Sequence, residues 1–140
     1  MHNDSKPRVY NSPPPFWFLI RRAFPSASLE HQIFAFYPAI YSSVPVSADL
    51  MEHEGTHLKQ QGSKLGALVW WFRYWYSPGF RYRMEVEACT AQYHKAQTMA
   101  SREHVKALLE KMADNLSSSV YNNCVTREQA YRDLANATYD

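Results

Sequence analysis

Cysteine is scarce in this chain. Only Cys89 and Cys124 occur among its 140 residues. They are too few for a disulfide scaffold, and too few and too widely spaced for a four-cysteine zinc finger. An excess of charge of one sign is also missing: 15 Lys and Arg stand against 13 Asp and Glu, a formal net charge of +2. That balance argues against a dedicated nucleic-acid binder, whose basic residues would be in clear excess. It also argues against an acidic disordered chain. No apolar run is long enough to span a bilayer, and the longest, Gly66 to Tyr76, is broken by Arg73. No apolar stretch follows the polar start Met1 to Arg8, so no signal peptide is predicted. There is neither an internal repeat nor a linker.

What is abundant is apolar and aromatic: 46% of residues are hydrophobic and 15% are Phe, Trp or Tyr. Residues 1–15 are polar and proline-rich and read as an extended arm, with Val9 and Tyr10 suited to an edge strand. The arm cannot build a core, and its four prolines lower the entropy lost on docking. We therefore expect it to lie on something, either its own domain or a protein partner in a larger assembly. Residues 16–140 form the domain proper. Pro15 suits the start of a helix over Phe16 to Phe24, which Pro25 stops; it reads as a core helix, with a membrane-surface helix as the alternative. Gln32 to Ser43 reads as one strand broken at Pro38, or as two short ones. Asp49 with Glu52 makes a capping box for a helix from about Leu50 to Gln61, ended by Gly62. Helices follow over Lys64 to Tyr76, after the turn Ser77-Pro78-Gly79 from about Arg81 to Met99, and from the cap Ser101 onward with a core stripe of Val105, Leu108, Leu109, Met112 and Leu116. Ser117 to Cys124 reads as a loop, and Thr126 with Gln129 opens a last short helix to about Ala137. The fold class is α+β: a small N-terminal sheet packed on the helix around residue 54, then a mostly helical half.

The chemistry is concentrated in His53-Glu54-Gly55-Thr56-His57. Histidines at i and i+4 stand one turn apart on one helix face, where two imidazoles can hold a single metal ion. Glu54 adjoins them, within reach of water at that ion. This is the His-Glu-x-x-His arrangement of zinc peptidases. A catalytic zinc site takes a third protein ligand. The candidates are Glu85, Glu87, Cys89, His94 and His104. Glu85 is placed best, because Glu85, Cys89, Gln92 and Ala96 share one helix face while Glu87 lies about 200° away around the helix.

Residues 49–93 resemble the core of small gluzincins, whose third ligand is a glutamate on a second helix. In ImmA-type peptidases a Glu-x-Glu-Ala-Asn segment follows the first motif, and in HtpX-type peptidases a Glu-x-x-Ala-Asp segment. Glu85-Val86-Glu87-Ala88 matches the first pattern, and Cys89 departs from both. The chain is also similar to uncharacterised phage-type metallopeptidases, which share Asp-Leu before the motif (Asp49-Leu50), Gln-Gln after it (Gln60-Gln61) and an aromatic stretch before the second helix (Trp70-Trp71). The resemblance implies a zincin-like fold, zinc bound by His53, His57 and Glu85, and Glu54 as general base. It implies a peptide or a peptidoglycan stem peptide as substrate. It also implies a location in the cytoplasm of a bacterial host or in a virion. The alternative is a phage or mobile-element assembly protein that keeps a zincin fold, with or without metal.

Other residues have plainer readings. Arg81 suits a surface ion pair, with a contact orienting Glu85 or binding a substrate carbonyl as the alternatives. Asp49, one turn before His53, is placed to accept its spare ring proton. Tyr76, Tyr82 and Tyr121 are candidate donors to an oxyanion. Trp70, Trp71 and Trp75 read as core, with a binding wall or a partner surface as the alternatives. The strand around Phe34 to Tyr41 is a candidate edge for an extended substrate.

Overall fold

The computed structural model describes residues 5–28 and 30–136. Its architecture is α+β, with a three-stranded sheet and six helices among the described residues. The strands are β1 (Val9–Tyr10), β2 (Phe34–Phe36) and β3 (Ala39–Tyr41). β2 and β3 form a hairpin through a cis Tyr37–Pro38 peptide, so Pro38 sits in the turn rather than within a strand. β1 adds in parallel on the far side of β3. There Ile40 donates its N–H to the Arg8 carbonyl and Ser42 to that of Tyr10, both at 2.9 Å. The described part of the arm therefore docks on its own chain, and Pro14 is buried with it. Residues 1–4 lie outside the description.

The helices are α1 (Trp17–Ala23), α2 (Ala48–Gln61), α3 (Lys64–Tyr76), α4 (Pro78–Gln97), α5 (Arg102–Leu116) and α6 (Arg127–Asn136). Three starts differ from the sequence reading. α1 begins at Trp17, with Phe16 as its N-cap in the left-handed region (φ 59), so Pro15 precedes the cap and does not open the helix. α2 begins at Ala48 with Ser47 at its N-cap. The Asp49 carboxylate takes a side-chain bond from Ser47 at 2.6 Å and another from α4, so the Asp49–Glu52 capping box does not form. α4 begins at Pro78, not Arg81: Ser77 accepts from the Phe80 N–H, and Pro78 occupies the first turn, where a missing N–H costs nothing. Ser101 and Thr126 are N-caps, accepting from the N–H groups of His104 and Gln129, but the Gln129 side chain turns to Asp133 and Arg132, so only half of the expected Thr126–Gln129 capping box forms. Gly62 ends α2 in the left-handed region (φ 73). Residues 117–124 include a 3₁₀ turn, Ser119–Tyr121, and the last expected helical residue, 137, lies outside the description.

α2 and α4 make the most extensive packing contact. Ala88, Ala91 and Ala96 are buried on α4, and such short side chains let two helices approach closely. Gly66 does the same where α3 leaves α2: a Cβ there would meet the Gln61 carbonyl at 1.9 Å. On one side α4 closes a core with α5 and α6 around Leu109, Met112, Leu116 and Leu134. On the other, β2 and β3 bury Ala35 and Ile40 against Leu58 of α2. The face of α4 that meets α2 carries Glu85 and Gln92, and so brings these polar groups to the histidine helix.

Candidate metal centre

α2 presents His53 and His57 one turn apart, with ring centroids 4.9 Å from each other. α4 presents Glu85 between them. Its Oε2 lies 3.1 Å from His53 Nε2 and its Oε1 lies 3.2 Å from His57 Nε2. One carboxylate thus spans both imidazoles at their ε nitrogens.

The δ nitrogens are held by two glutamines, and these settle the roles of the rings. Gln92 donates through Nε2 to the Asp49 carboxylate at 3.0 Å, and a carboxylate only accepts. Its Oε1 must then face His53 Nδ1, at 3.0 Å, so Nδ1 carries the proton. Gln60 donates through Nε2 to the Met84 carbonyl at 3.1 Å, which orients its Oε1 toward His57 Nδ1 at 2.9 Å. Trp70 donates its indole N–H to the same oxygen at 3.2 Å. Both rings are therefore proton donors at Nδ1 and present Nε2 inward, the arrangement that orients metal-binding histidines. Asp49 serves His53 through Gln92 and not by direct contact, a correction to the sequence reading.

Burial disfavours charge on all four central groups, and their mutual attraction decides the outcome. Burial alone would lower both histidines; hydrogen bonds to Cys89 and Glu85 hold His53 well above the usual range, and the Glu85 charge raises His57. Burial alone would raise Glu85, but His57 and His53 pull it well below the ordinary carboxylate range. Glu54 is 7% exposed, and burial lifts its carboxyl despite the two histidines. Burial also pushes the Cys89 thiol up.

These residues can hold a metal ion. The ligand atoms of His53, Glu85 and Cys89 lie within 4.8 Å of one another, and His57 joins them through Glu85. Two imidazole ε nitrogens and a carboxylate, converging from two packed helices, are a donor set that suits a divalent transition metal. Of the other sequence candidates, Glu87 and His104 are exposed, and His94 packs beside Tyr93.

A comparison with protein families, with characterised proteins and with solved structures finds no match.

The site opens into a cleft of about 640 Å³ that reaches Phe24 and Pro25 after α1, Phe34 and Ala35 of β2, and the aromatic side of α3. Glu54 lines it beside His53, His57 and Glu85. Trp70, 5% exposed, stands edge-on to His57 at 5.1 Å and stacks on Tyr74 at 4.8 Å. Trp71 is half-buried and Trp75 is 55% exposed, so only Trp70 is core in the full sense. Tyr74 escaped the sequence reading. Its hydroxyl donates to Glu85 Oε1 at 2.9 Å, and burial together with the Glu85 charge keeps that phenol well above its usual range. Its one legible signal is its place on the Ala67–Trp70 side of α3, the side that is buried. Of the candidate oxyanion donors, Tyr121 is buried. Tyr82 bonds Asp133, and Tyr76 is 80% exposed.

Arg81 makes no surface ion pair. It is buried, and its guanidinium donates to the carbonyls of Tyr74 (2.8 Å), Trp75 (2.9 Å) and Val120 (3.2 Å). The end of α3 and the 3₁₀ turn are thereby fastened together at the cleft wall. The expected substrate edge is also narrower than the sequence suggested. β3 is the central strand. On β2, Gln61 and Trp71 already donate to the Ala35 carbonyl at 3.0 and 3.1 Å, and Tyr37 N–H donates to Gln61 at 2.7 Å.

Proposed function

We propose that this chain is a zinc-dependent peptidase of the gluzincin type. The observation that carries the reading is the convergence of His53 Nε2, His57 Nε2 and the Glu85 carboxylate at the floor of a cleft that Glu54 also lines. Zinc is the metal chosen by two nitrogens and one carboxylate oxygen with room for a further position. Held there, it supplies Lewis acidity toward water and toward a substrate carbonyl. Cys89 is the weaker ligand, because a thiol whose ionisation is opposed by burial among apolar side chains is a poor source of thiolate.

The protein groups divide the remaining work. Gln92 and Gln60 fix the imidazole tautomers. Tyr74 donates to Glu85 and holds its plane. Glu54 is the general base: burial raises its carboxyl toward the pH at which a base works best. It accepts a proton as water attacks the scissile carbonyl and returns that proton to the leaving amine, so no proton is gained or lost over the cycle. The substrate is a peptide or a peptidoglycan stem peptide, laid along the aromatic wall of Trp70, Trp71 and Trp75.

Glu54→Gln tests this. Zinc-loaded parent and variant are compared on a peptide library and on purified peptidoglycan. The variant should keep its fold and its metal and lose on the order of a hundredfold or more in rate. A variant as active as the parent contradicts the mechanism. A zinc-loaded parent that cleaves neither material favours the alternative, an assembly protein that retains the site.

A further inference from the structure

α3 is apolar on two opposite sides, and only one of them is used by the fold. Ala67 and Trp70 point into the protein. On the opposite side Leu65 is 71% exposed, Leu68 43%, Val69 53%, Phe72 60%, Trp75 55% and Tyr76 80%. At 100° per residue these six fall within an arc of about 120° centred on Phe72, the width of a full buried helix face. Their exposed surface is of the order of several hundred Å², at or above the largest apolar patch an ordinary monomer shows. Single exposed leucines need no explanation, but a complete unpartnered helix face does.

The charges around the face say what covers it. Lys64 and Arg73 are both exposed and stand at the two edges of the arc, and α3 contains no acidic residue. Beyond Leu65 and Leu68 the surface continues into a groove lined by Lys6, Arg8, Lys59, Lys64 and Lys95, with Glu52 as its one acid. On the other edge Glu87 is the one acid lining the shallow pocket that Arg73 also lines. α1 repeats the pairing on a smaller scale: Phe18, 72% exposed, lies between the exposed Arg21 and Arg22. Long basic side chains bordering Leu, Phe, Trp and Tyr are the pattern of a helix lying in a lipid interface, where stems lie along the apolar zone and charged ends reach anionic headgroups. A second copy of the chain is a poorer cover. Two such faces would bring cationic rims together with no carboxylate in either α3 to offset them. No helix among the described residues is long and apolar enough to cross a membrane, so α3 can lie on a bilayer but not traverse it.

We propose that the outer face of α3 docks the protein on the surface of an anionic lipid bilayer. Leu65, Phe72 and Tyr76 enter the acyl boundary, and Lys64 and Arg73 engage headgroup phosphates. Trp75 belongs both to this face and to the cleft wall, so the candidate site would open beside the bilayer. The docking itself does not depend on peptidase activity.

The test is flotation of the full chain with vesicles of phosphatidylcholine alone, and of phosphatidylcholine and phosphatidylglycerol in equal parts. The chain should bind the anionic vesicles and not the neutral ones, and release as salt is raised. Phe72→Glu and Leu65→Glu, both at exposed positions, should keep the circular dichroism of the parent and weaken binding about tenfold or more each. Failure of the parent to bind anionic vesicles overturns the proposal, as does Phe72→Glu binding as tightly as the parent. So does light scattering that gives twice the chain mass for the parent and a single chain for Phe72→Glu, since the face is then a contact between copies.

Discussion

His53 Nδ1 and Gln92 Oε1 lie 3.0 Å apart, and the far end of the same Gln92 side chain is tied to Asp49 at 3.0 Å. The chain of contacts runs from a carboxylate on the first turn of α2, through an amide on α4, back to an imidazole on α2. An amide in this position cannot turn over, because its N–H₂ would then meet the N–H of the ring and its oxygen the carboxylate. The tautomer of His53 therefore follows from the sequence of donors and acceptors along the chain.

Replacement of Gln92 by Leu should keep the fold and lower metal affinity by roughly 10- to 100-fold, the usual loss when a partner that orients a metal-binding histidine is removed. Competition against a chromophoric zinc chelator measures it. Affinity equal to the parent's would mean that His53 needs no orienting partner.

Glu85 and Glu87 make a paired test. Glu85 bridges both histidines, whereas Glu87 is exposed. Glu85→Gln should sharply reduce metal binding, and Glu87→Gln should leave it nearly unchanged. The opposite order, read by metal analysis after dialysis, would overturn the assignment.

Arg81 offers a stability test at the wall of the cleft. Three backbone carbonyls accept from its buried guanidinium. Arg81→Ala strands them and should cost about 2–4 kcal/mol in urea unfolding. Arg81→Lys should recover little of that, since an ammonium cannot reproduce the planar fork. A loss of under about half a kcal/mol, the usual value for an exposed site, would show that the network is not structural.

Some of this was legible in the residues and some was not. The histidine pair was legible because i, i+4 spacing on a helix fixes a shared face whatever the rest of the chain does. The face of Glu85, Cys89 and Gln92 was legible for the same reason, and so was α5, whose stripe and Ser101 cap are local signals. α3 was legible as a helix but not in orientation: with apolar residues on nearly every side, nothing in the sequence says which side is inward. Tyr74 was hidden by that ambiguity among ten tyrosines. The role of Arg81 was hidden because backbone carbonyls carry no mark in a sequence, and one of its acceptors is 39 residues away. The start of α4 was misread because Ser-Pro-Gly serves a turn and a helix N-terminus equally well, and only the Phe80 N–H bond to Ser77 separates them.

A single zinc held by His53, His57 and Glu85 is tested by anomalous scattering at the zinc edge from crystals of protein purified without chelator, with elemental analysis of the same preparation. About one zinc per chain is expected, with one anomalous peak bonded to Nε2 of His53, Nε2 of His57 and an oxygen of Glu85. No zinc in the preparation, or a peak bonded to Cys89 with His57 turned away, would contradict it.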